Sequence, residues 1–292
     1  MAESTPAPLS GKPGSGPSNT LVRIASALVL APLAIAAAWF GGLPFAVFWG
    51  LAAFGVWWEW SALVAVSAAR LVTFTGLGAL AIALALSATG RYPAAVIVIV
   101  LGAAATNVVA PAGRGVWVGG GLIYAGSLLL APLILRHDVL ILRHDVEWGF
   151  IAIVFLFGIV WATDILAFYV GRAVGGWKLW PKVSPNKTWS GAIAGACGAV
   201  IVGFALARYV GTGPAIYFAL VALVLSVASQ GGDLFESAVK RRFGAKDTSQ
   251  IIPGHGGLMD RLDGFIVAAA VAAVYGIARA GLDNAAQGLL RW

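Results

Sequence analysis

The sequence predicts an all-α polytopic integral membrane protein, a helical bundle of about nine transmembrane helices. Of its 292 residues, 60% are hydrophobic and only 11% are charged, and the mean hydropathy is +0.90. Soluble globular domains carry about 25% charged residues. Long apolar runs also recur along the whole chain, and most of the 19 lysine and arginine residues fall in alternate loops. These observations exclude a soluble globular domain.

The apolar runs set the predicted spans, because a bilayer core of about 30 Å needs about 20 apolar residues per helix. The spans are predicted at residues 21–40, 43–66, 71–88, 93–110, 116–135, 149–171, 189–209, 214–235 and 264–281. Residues 1–20 are rich in Pro, Ser and Gly, which predicts a disordered tail. We therefore divide the chain into this tail, an N-terminal membrane region (21–147) and a C-terminal membrane region (148–292) that carries the chemistry.

Positive charge predicts the orientation, since cytoplasmic loops carry an excess of Lys and Arg. The N-terminus is predicted to be cytoplasmic, and the loops after the sixth and eighth spans then face the same side. A net charge of +7 favours anionic neighbours, either lipid head groups or phosphorylated substrates. The charge alone does not choose between them.

Ionisable residues inside spans are costly and usually functional or paired. Asp164 lies deep in the sixth span, and Arg172 follows on nearly the same helix face. We interpret both as functional. Glu59, in W-W-E-W at 57–60, is either an interfacial carboxylate in an aromatic belt or a functional group, and the sequence leaves both open.

The loop at 171–189 presents polar groups just before the seventh span. Ser184, Asn186, Lys187 and Thr188 provide hydroxyl, amide and ammonium groups next to a helix N-terminus, which is typical of a phosphate cradle. A positively charged loop capped by Thr188 has the same spacing, so this alternative stays open.

The stretch from Ser237 to Asp263 is a long polar run in an apolar half of the chain. If the eighth helix continues into it, four polar residues share one face; they are Asp233, Glu236, Ser237 and Lys240. Carboxylates without cysteine suit Mg²⁺, and lysines and arginines suit phosphate. These are the groups that phosphoryl or nucleotidyl transfer requires.

Residues 237–263 resemble the signature of the phosphatidate cytidylyltransferases, or CDP-diacylglycerol synthases. The resemblance extends to G-D-L-F-E-S at 232–237, S-P-N-K-T-W at 184–189 and the Asp164 to Arg172 segment. The first 145 residues match only as hydrophobic spans. Two features depart from the pattern: Gly264, where Ser is more often expected, and the tandem heptapeptide L-I-L-R-H-D-V at 133–139 and 140–146.

The resemblance implies transfer of CMP from CTP to phosphatidic acid, giving CDP-diacylglycerol and pyrophosphate. It implies Mg²⁺ as cofactor, with a second cation left open, and a cell-membrane location with the active site facing the cytoplasm. The expected partners are CTP, phosphatidic acid and membrane lipids; a homodimer stays open, and no nucleic acid is expected.

The resemblance also implies roles for individual residues. The catalytic residues are Asp233, Lys240, Asp260 and Arg261, and the metal ligands are Asp233, Asp260, Asp263 and Asp164. The substrate-binding residues are Arg172, Ser184, Asn186, Lys187, Glu236, Ser237, Arg241, Lys246, Asp247 and His255.

Two other classes of protein share parts of this pattern. The motif of the CDP-alcohol phosphotransferases begins with D-G-x-x-A-R. Here Asp263-Gly264 is followed by Phe265, Ile266 and Val267, so this motif is absent. A transporter or lipid-binding scaffold would also use buried charges. Transport predicts broken helices in both halves of the chain, whereas the polar groups here cluster in one half.

Overall fold

The computed structural model describes residues 17–65, 69–137, 148–249 and 256–292, and in them the chain is a bundle of long helices. The helices are α1 Pro17–Phe40, α2 Gly42–Val64, α3 Ala69–Ala88, α4 Tyr92–Val109, α5 Gly115–Arg136, α6 Trp148–Val174, α7 Trp189–Val210, α8 Ala215–Arg242 and α9 Met259–Ala280. A 3-10 turn at Leu282–Asn284 and the short helix α10, Ala285–Leu290, follow.

The helices confirm the predicted class, a multi-pass all-α membrane protein. Among the described residues, α2 to α9 are each long and apolar enough to cross a bilayer, and α1 contributes the shorter apolar stretch Leu28–Phe40. Eight of the nine predicted spans therefore correspond to helices of spanning length, and the first, 21–40, lies within α1, whose apolar stretch is shorter. Because α1 begins at Pro17, it includes the last residues of the predicted tail 1–20.

Three helices extend past the predicted spans, in each case towards the polar loops. The sixth continues to Val174, the eighth continues to Arg242, and the ninth begins at Met259 rather than at residue 264. The prediction followed the apolar runs, whereas these helix ends are amphipathic. Asp260 and Asp263 consequently lie in the first turns of α9.

A two-stranded antiparallel hairpin, which the sequence did not predict, connects α6 to α7. Its strands are β1, Lys178–Trp180, and β2, Ser184–Thr188. Gly175 and Gly176 have φ values of 65° and 97°, which favour glycine where the chain leaves α6. Thr188 caps α7, because its hydroxyl accepts a hydrogen bond from the Gly191 amide at 3.2 Å.

Glycines allow the C-terminal helices to approach closely, as is common in membrane bundles. A Cβ atom on Gly195 of α7 would lie 2.7 Å from the Thr163 carbonyl of α6. On α8, a Cβ on Gly232 would lie 2.6 Å from the Asp263 carbonyl of α9. These contacts bring the three helices that carry Asp164, Asp233 and Asp263 to one place.

The N-terminal helices pack against this group. Trp49 of α2 stacks on Phe265 of α9, with ring centroids 4.7 Å apart and planes 3° from parallel. The Tyr124 hydroxyl of α5 donates to the Asp263 carbonyl at 3.3 Å. Helices α2 and α5 thus support α9 directly behind its polar first turns.

Candidate active site

A cavity of about 950 Å³ opens between α6, the hairpin, the start of α7, α8 and the start of α9. Among the described residues, its lining holds five aspartates and five lysine or arginine side chains. The predicted site residues that line it are Asp164, Arg172, Asn186, Lys187, Asp233, Lys240, Asp247, Asp260, Arg261 and Asp263. The structure therefore brings together residues that lie up to 99 positions apart in the sequence.

Three of the carboxylates form an acidic group, contributed by α6, α8 and α9. Asp263 experiences electrostatic repulsion from Asp233 and Asp164, and also from the buried Glu236. Lys187 of the hairpin forms an ion pair with Asp233, which offsets part of this charge. A bound cation would offset the remaining repulsion between these carboxylates.

A second group surrounds Lys240. Its ammonium lies 2.6 Å from Asp260 Oδ1 and 2.7 Å from Glu236 Oε2. The other oxygen of Asp260, Oδ2, accepts hydrogen bonds from the amides of Thr248 and Gly257 at 3.2 and 2.8 Å. Asp260 is therefore held on both sides, and it holds Lys240 at the cavity wall.

Five predicted residues do not line the cavity: Ser184, Glu236, Ser237, Arg241 and Lys246. Glu236 is fully buried, and its carboxylate forms an ion pair with Lys240 at the cavity wall. Arg241 donates to the carbonyls of Val183 and Ala245 at 3.5 and 3.2 Å, so it ties the hairpin to the loop after α8. Ser184 pairs with Trp180 in the hairpin.

The remaining predicted site residue, His255, lies outside the described residues, as does most of the duplicated heptapeptide. Sequence reasoning did not select Lys178 and Gln230, which line the cavity. Gln230 lies three residues before Asp233 in an apolar span, and its amide donates to the Ala192 carbonyl of α7 at 3.3 Å. A polar side chain about one helical turn before Asp233, in an otherwise apolar span, is the sequence feature that could have identified Gln230.

The carboxylates fit a cation that binds together with substrate. Within the described ranges, no group of three or more His, Cys, Asp or Glu side chains is close enough to hold a metal ion alone. Mg²⁺ is usually held by one or two carboxylates together with substrate phosphates. Asp164, Asp233 and Asp263 offer oxygen donors to the cavity, so the donor set suits this kind of site.

The protein is therefore a polytopic membrane enzyme that acts on phosphorylated substrates. Oxygen donors for a hard cation and fixed cations for phosphate charge line one cavity at the polar ends of apolar helices. This combination is typical of phosphoryl and nucleotidyl transfer.

Comparison with known proteins gives the family. The cytidylyltransferase family model matches residues 21–278, and the chain belongs to this family. It is 43% identical over 264 residues to the phosphatidate cytidylyltransferase of Brucella abortus (strain 2308), covering 89% of this chain and 94% of that protein. The predicted resemblance and the nucleotidyltransferase class are confirmed.

Shorter matches cover part of the chain. The phosphatidate cytidylyltransferase of Bacillus subtilis (strain 168) is 41% identical over 135 residues, which is 44% of this chain and 49% of that protein. The protein of the same name from Staphylococcus aureus (strain COL) is 46% identical over 115 residues, or 39% of this chain and 44% of the relative.

Proposed function

We propose that this protein transfers CMP from CTP to phosphatidic acid, giving CDP-diacylglycerol and pyrophosphate. The observation that carries the proposal is the charge-balanced cavity of about 950 Å³ at the polar ends of α6, α8 and α9. Its size lies in the range of about 300–1,000 Å³ that is usual for small-molecule sites. The names of the relatives support the same reaction.

In this reaction a phosphate oxygen of phosphatidic acid attacks the α-phosphorus of CTP. The bond from that phosphorus to the oxygen bridging to the β-phosphate breaks, and its electron pair leaves with pyrophosphate. We assign Lys187, Lys240 and Arg261 to the phosphate charges, because all three line the cavity. Lys187 and Lys240 are already oriented by carboxylates, so little reorganisation is needed when phosphates bind.

We assign the predicted Mg²⁺ to Asp164, Asp233 and Asp263. Bound there with the nucleotide, Mg²⁺ would neutralise charge on the phosphates and on the departing pyrophosphate. Metal ligation by Asp260 also stays in the proposal, although it requires the exchange of one of the present donors, Lys240, Thr248 or Gly257. A second cation and a homodimer remain predictions.

We also propose that the protein lies in the cell membrane with this cavity facing the cytoplasm. Lys178, Lys182, Arg242 and Lys246 belong to the hairpin, the end of α8 and the loop after it. Such a concentration of positive charge is typical of cytoplasmic segments. CTP would enter from the cytoplasm, and the lipid substrate would enter from the bilayer.

The test is pyrophosphate release by the purified protein in detergent with CTP, phosphatidic acid and Mg²⁺. Release should require all three, and a chelator should stop it until Mg²⁺ is restored. Lys187→Met should lower turnover, whereas Lys182→Met, in the same hairpin but outside the cavity lining, should not. Release no greater than that seen without lipid would reject the proposal and favour a lipid-binding scaffold.

A further inference from the structure

Glu59 of α2 is a buried carboxylate that binds the far end of the chain. Only 1% of it is exposed, and it accepts four hydrogen bonds. The hydroxyls of Thr248 and Ser249 donate to it at 3.0 and 2.5 Å, and the amides of Leu258 and Met259 donate at 2.8 and 2.7 Å. All four donors lie about 190 to 200 positions away in the sequence.

Two of these bonds cap α9 from another helix. The first amides of a helix have no intrahelical partner, and α9 has no capping side chain of its own, because its N-cap residue is Leu258. Glu59 supplies the missing acceptor. Its negative charge also faces the positive end of the α9 dipole, which is a stabilising arrangement.

The same carboxylate is connected to the cavity through Thr248. The Thr248 hydroxyl lies 3.0 Å from Glu59 Oε2 and 3.1 Å from Asp260 Oδ2, so it joins the two carboxylates. Gly257 lies in the same cluster, since a Cβ atom there would be 2.7 Å from Glu59 Oε2. The connection continues from Asp260 to Lys240 at the cavity wall.

We propose that Glu59 is a positioning residue for nucleotidyl transfer. It holds the described segments on either side of residues 250–255 and the start of α9, and through Thr248 and Gly257 it fixes Asp260 and Lys240 at the cavity. Because misplacing a reacting group by about 1 Å can cost about 10²-fold in rate, loosening this cluster lowers turnover. The inference rests on the proposed function, and it gives α2, an N-terminal helix, a role in that reaction.

The variants are chosen to separate positioning from stability. Glu59→Gln keeps the size of the side chain but replaces one acceptor oxygen with an NH₂ group that faces donors. Thr248→Val removes only the hydroxyl that joins Glu59 to Asp260. The matched control is Ser61→Ala, because Ser61 is on the same helix, is equally buried and loses a 2.8 Å hydrogen bond to Thr73, away from the cavity.

Turnover per folded molecule and KM for CTP are the readouts. We expect Glu59→Gln to lower kcat by about 10²-fold with a much smaller change in KM, and Ser61→Ala to leave kcat unchanged. The double variant Glu59→Gln, Thr248→Val should be little worse than the poorer single variant, because residues of one hydrogen-bonded network are not additive. Wild-type kcat per folded molecule in both single variants, or independent additive losses, would overturn the proposal.

Amide hydrogen exchange without substrate provides a readout that does not depend on the reaction. Exchange at Gly257, Leu258 and Met259 should be faster in Glu59→Gln and unchanged in Ser61→Ala. Unchanged exchange in Glu59→Gln would contradict the inference whatever the reaction is. If Glu59→Gln fails to fold, the kcat of Thr248→Val is the test: a lowered kcat supports the positioning role, and a wild-type kcat contradicts it. A wild-type protein that forms no CDP-diacylglycerol would instead reject the proposed function. The exchange data would still test the role of Glu59, because they do not depend on the reaction.

Discussion

At the scale of single residues, the cavity contains two carboxylate groups with different surroundings. Asp260 is engaged on both oxygens by Lys240, Thr248 and Gly257. Asp263, one turn further along α9, accepts a hydrogen bond from the Gly264 amide at 2.7 Å and faces the like charge of Asp233. The first arrangement positions a cation of the protein, whereas the second leaves carboxylate oxygens available to the proposed Mg²⁺.

The Asp260→Asn variant tests the first arrangement. The substitution keeps the shape of the side chain but removes the charge that holds Lys240, so we expect turnover to fall by about 10²-fold, equal to about 2.7 kcal/mol of barrier. Pyrophosphate release per folded molecule is the measurement. Asp283→Asn, in the 3-10 turn beyond the other end of α9, is the matched control and should behave as wild type.

A loss in Asp260→Asn of less than about tenfold, or about 1.4 kcal/mol, would contradict this role. A protein that no longer elutes as a single species in detergent would indicate a folding defect. Rescue is informative in that case, because Asp260→Glu retains the charge and should recover part of the activity of the folded fraction.

Sequence reasoning found nine of the ten charged residues that line the cavity, but not what holds them. Asp164, Asp233, Asp260 and Asp263 were selected because charges are rare in apolar spans and because the motifs resemble a known family. The four bonds of Glu59 could not be predicted, since its partners lie about 190 to 200 positions away and no local periodicity reports such a contact. For the same reason, the sequence could not decide between a functional and an interfacial role for Glu59.

At the scale of helices, the close contact between α8 and α9 sets the distance between Asp233 and Asp263. Gly232 precedes Asp233 and faces the Asp263 carbonyl, while Gly264 follows Asp263 and faces Ser229 of α8. A Cβ on Gly264 would lie 2.5 Å from the Ser229 hydroxyl oxygen. Glycine at 264, where the family resemblance led us to expect serine, leaves this contact undisturbed.

The Gly232→Ala variant tests whether this contact matters for activity. The added methyl would overlap the Asp263 carbonyl and Val267 of α9, and overpacking of this kind typically costs about 1–3 kcal/mol. We expect a lower melting temperature and a loss of turnover larger than the loss of folded protein, because α9 must move relative to Asp233.

The matched control for this change is Gly231→Ala, one residue earlier on the same helix. A Cβ on Gly231 meets nothing within 4 Å, and alanine is favoured over glycine in a helix by about 1 kcal/mol. Gly231→Ala should therefore keep full activity. Equal behaviour of the two variants would show that close approach of α8 and α9 is not required.

The sequence predicted the existence of the helices better than their ends. Apolar runs of about 20 residues are sufficient to predict spans, and all nine coincide with helices. The ends of α8 and α9 depend on polar residues whose partners lie elsewhere, such as the Met259 amide bound by Glu59. The hairpin was not predicted because β1 has only three residues and its pairing with β2 is set by the surrounding structure.

At the scale of the whole molecule, the two membrane regions contribute differently to one site. The C-terminal region, from α6 onwards, supplies the cavity lining. The N-terminal region supports it from behind through Trp49, Glu59 and Tyr124, which all contact α9 or its first residues. Sequence analysis found only hydrophobic spans in the first half of the chain, but the family match begins at residue 21 and includes this half. These contacts give it a structural role at the site.

Orientation in the membrane follows from the charge distribution and is testable by thiol labelling. In a Cys197→Ser background, Lys182→Cys in the hairpin should resist an impermeant thiol reagent in right-side-out vesicles. Asp283→Cys should react, because it lies beyond the far end of α9, about 33 Å of helix away from Met259. A cysteine near Asp138, outside the described residues, should also react. The reverse labelling pattern would place the cavity on the outer face.

If the cavity transfers CMP to a lipid phosphate, the α-phosphate of CTP must appear in the lipid, and labelled CTP tests this. Purified protein is incubated with phosphatidic acid and Mg²⁺, using CTP labelled at either the α- or the γ-phosphate. We expect the α-label in the lipid product and the γ-label in pyrophosphate, in equal amounts, and no lipid labelling from ATP. Label transferred to lipid from the γ-phosphate, lipid labelling by ATP equal to that by CTP, or no labelled lipid would contradict CMP transfer by this cavity.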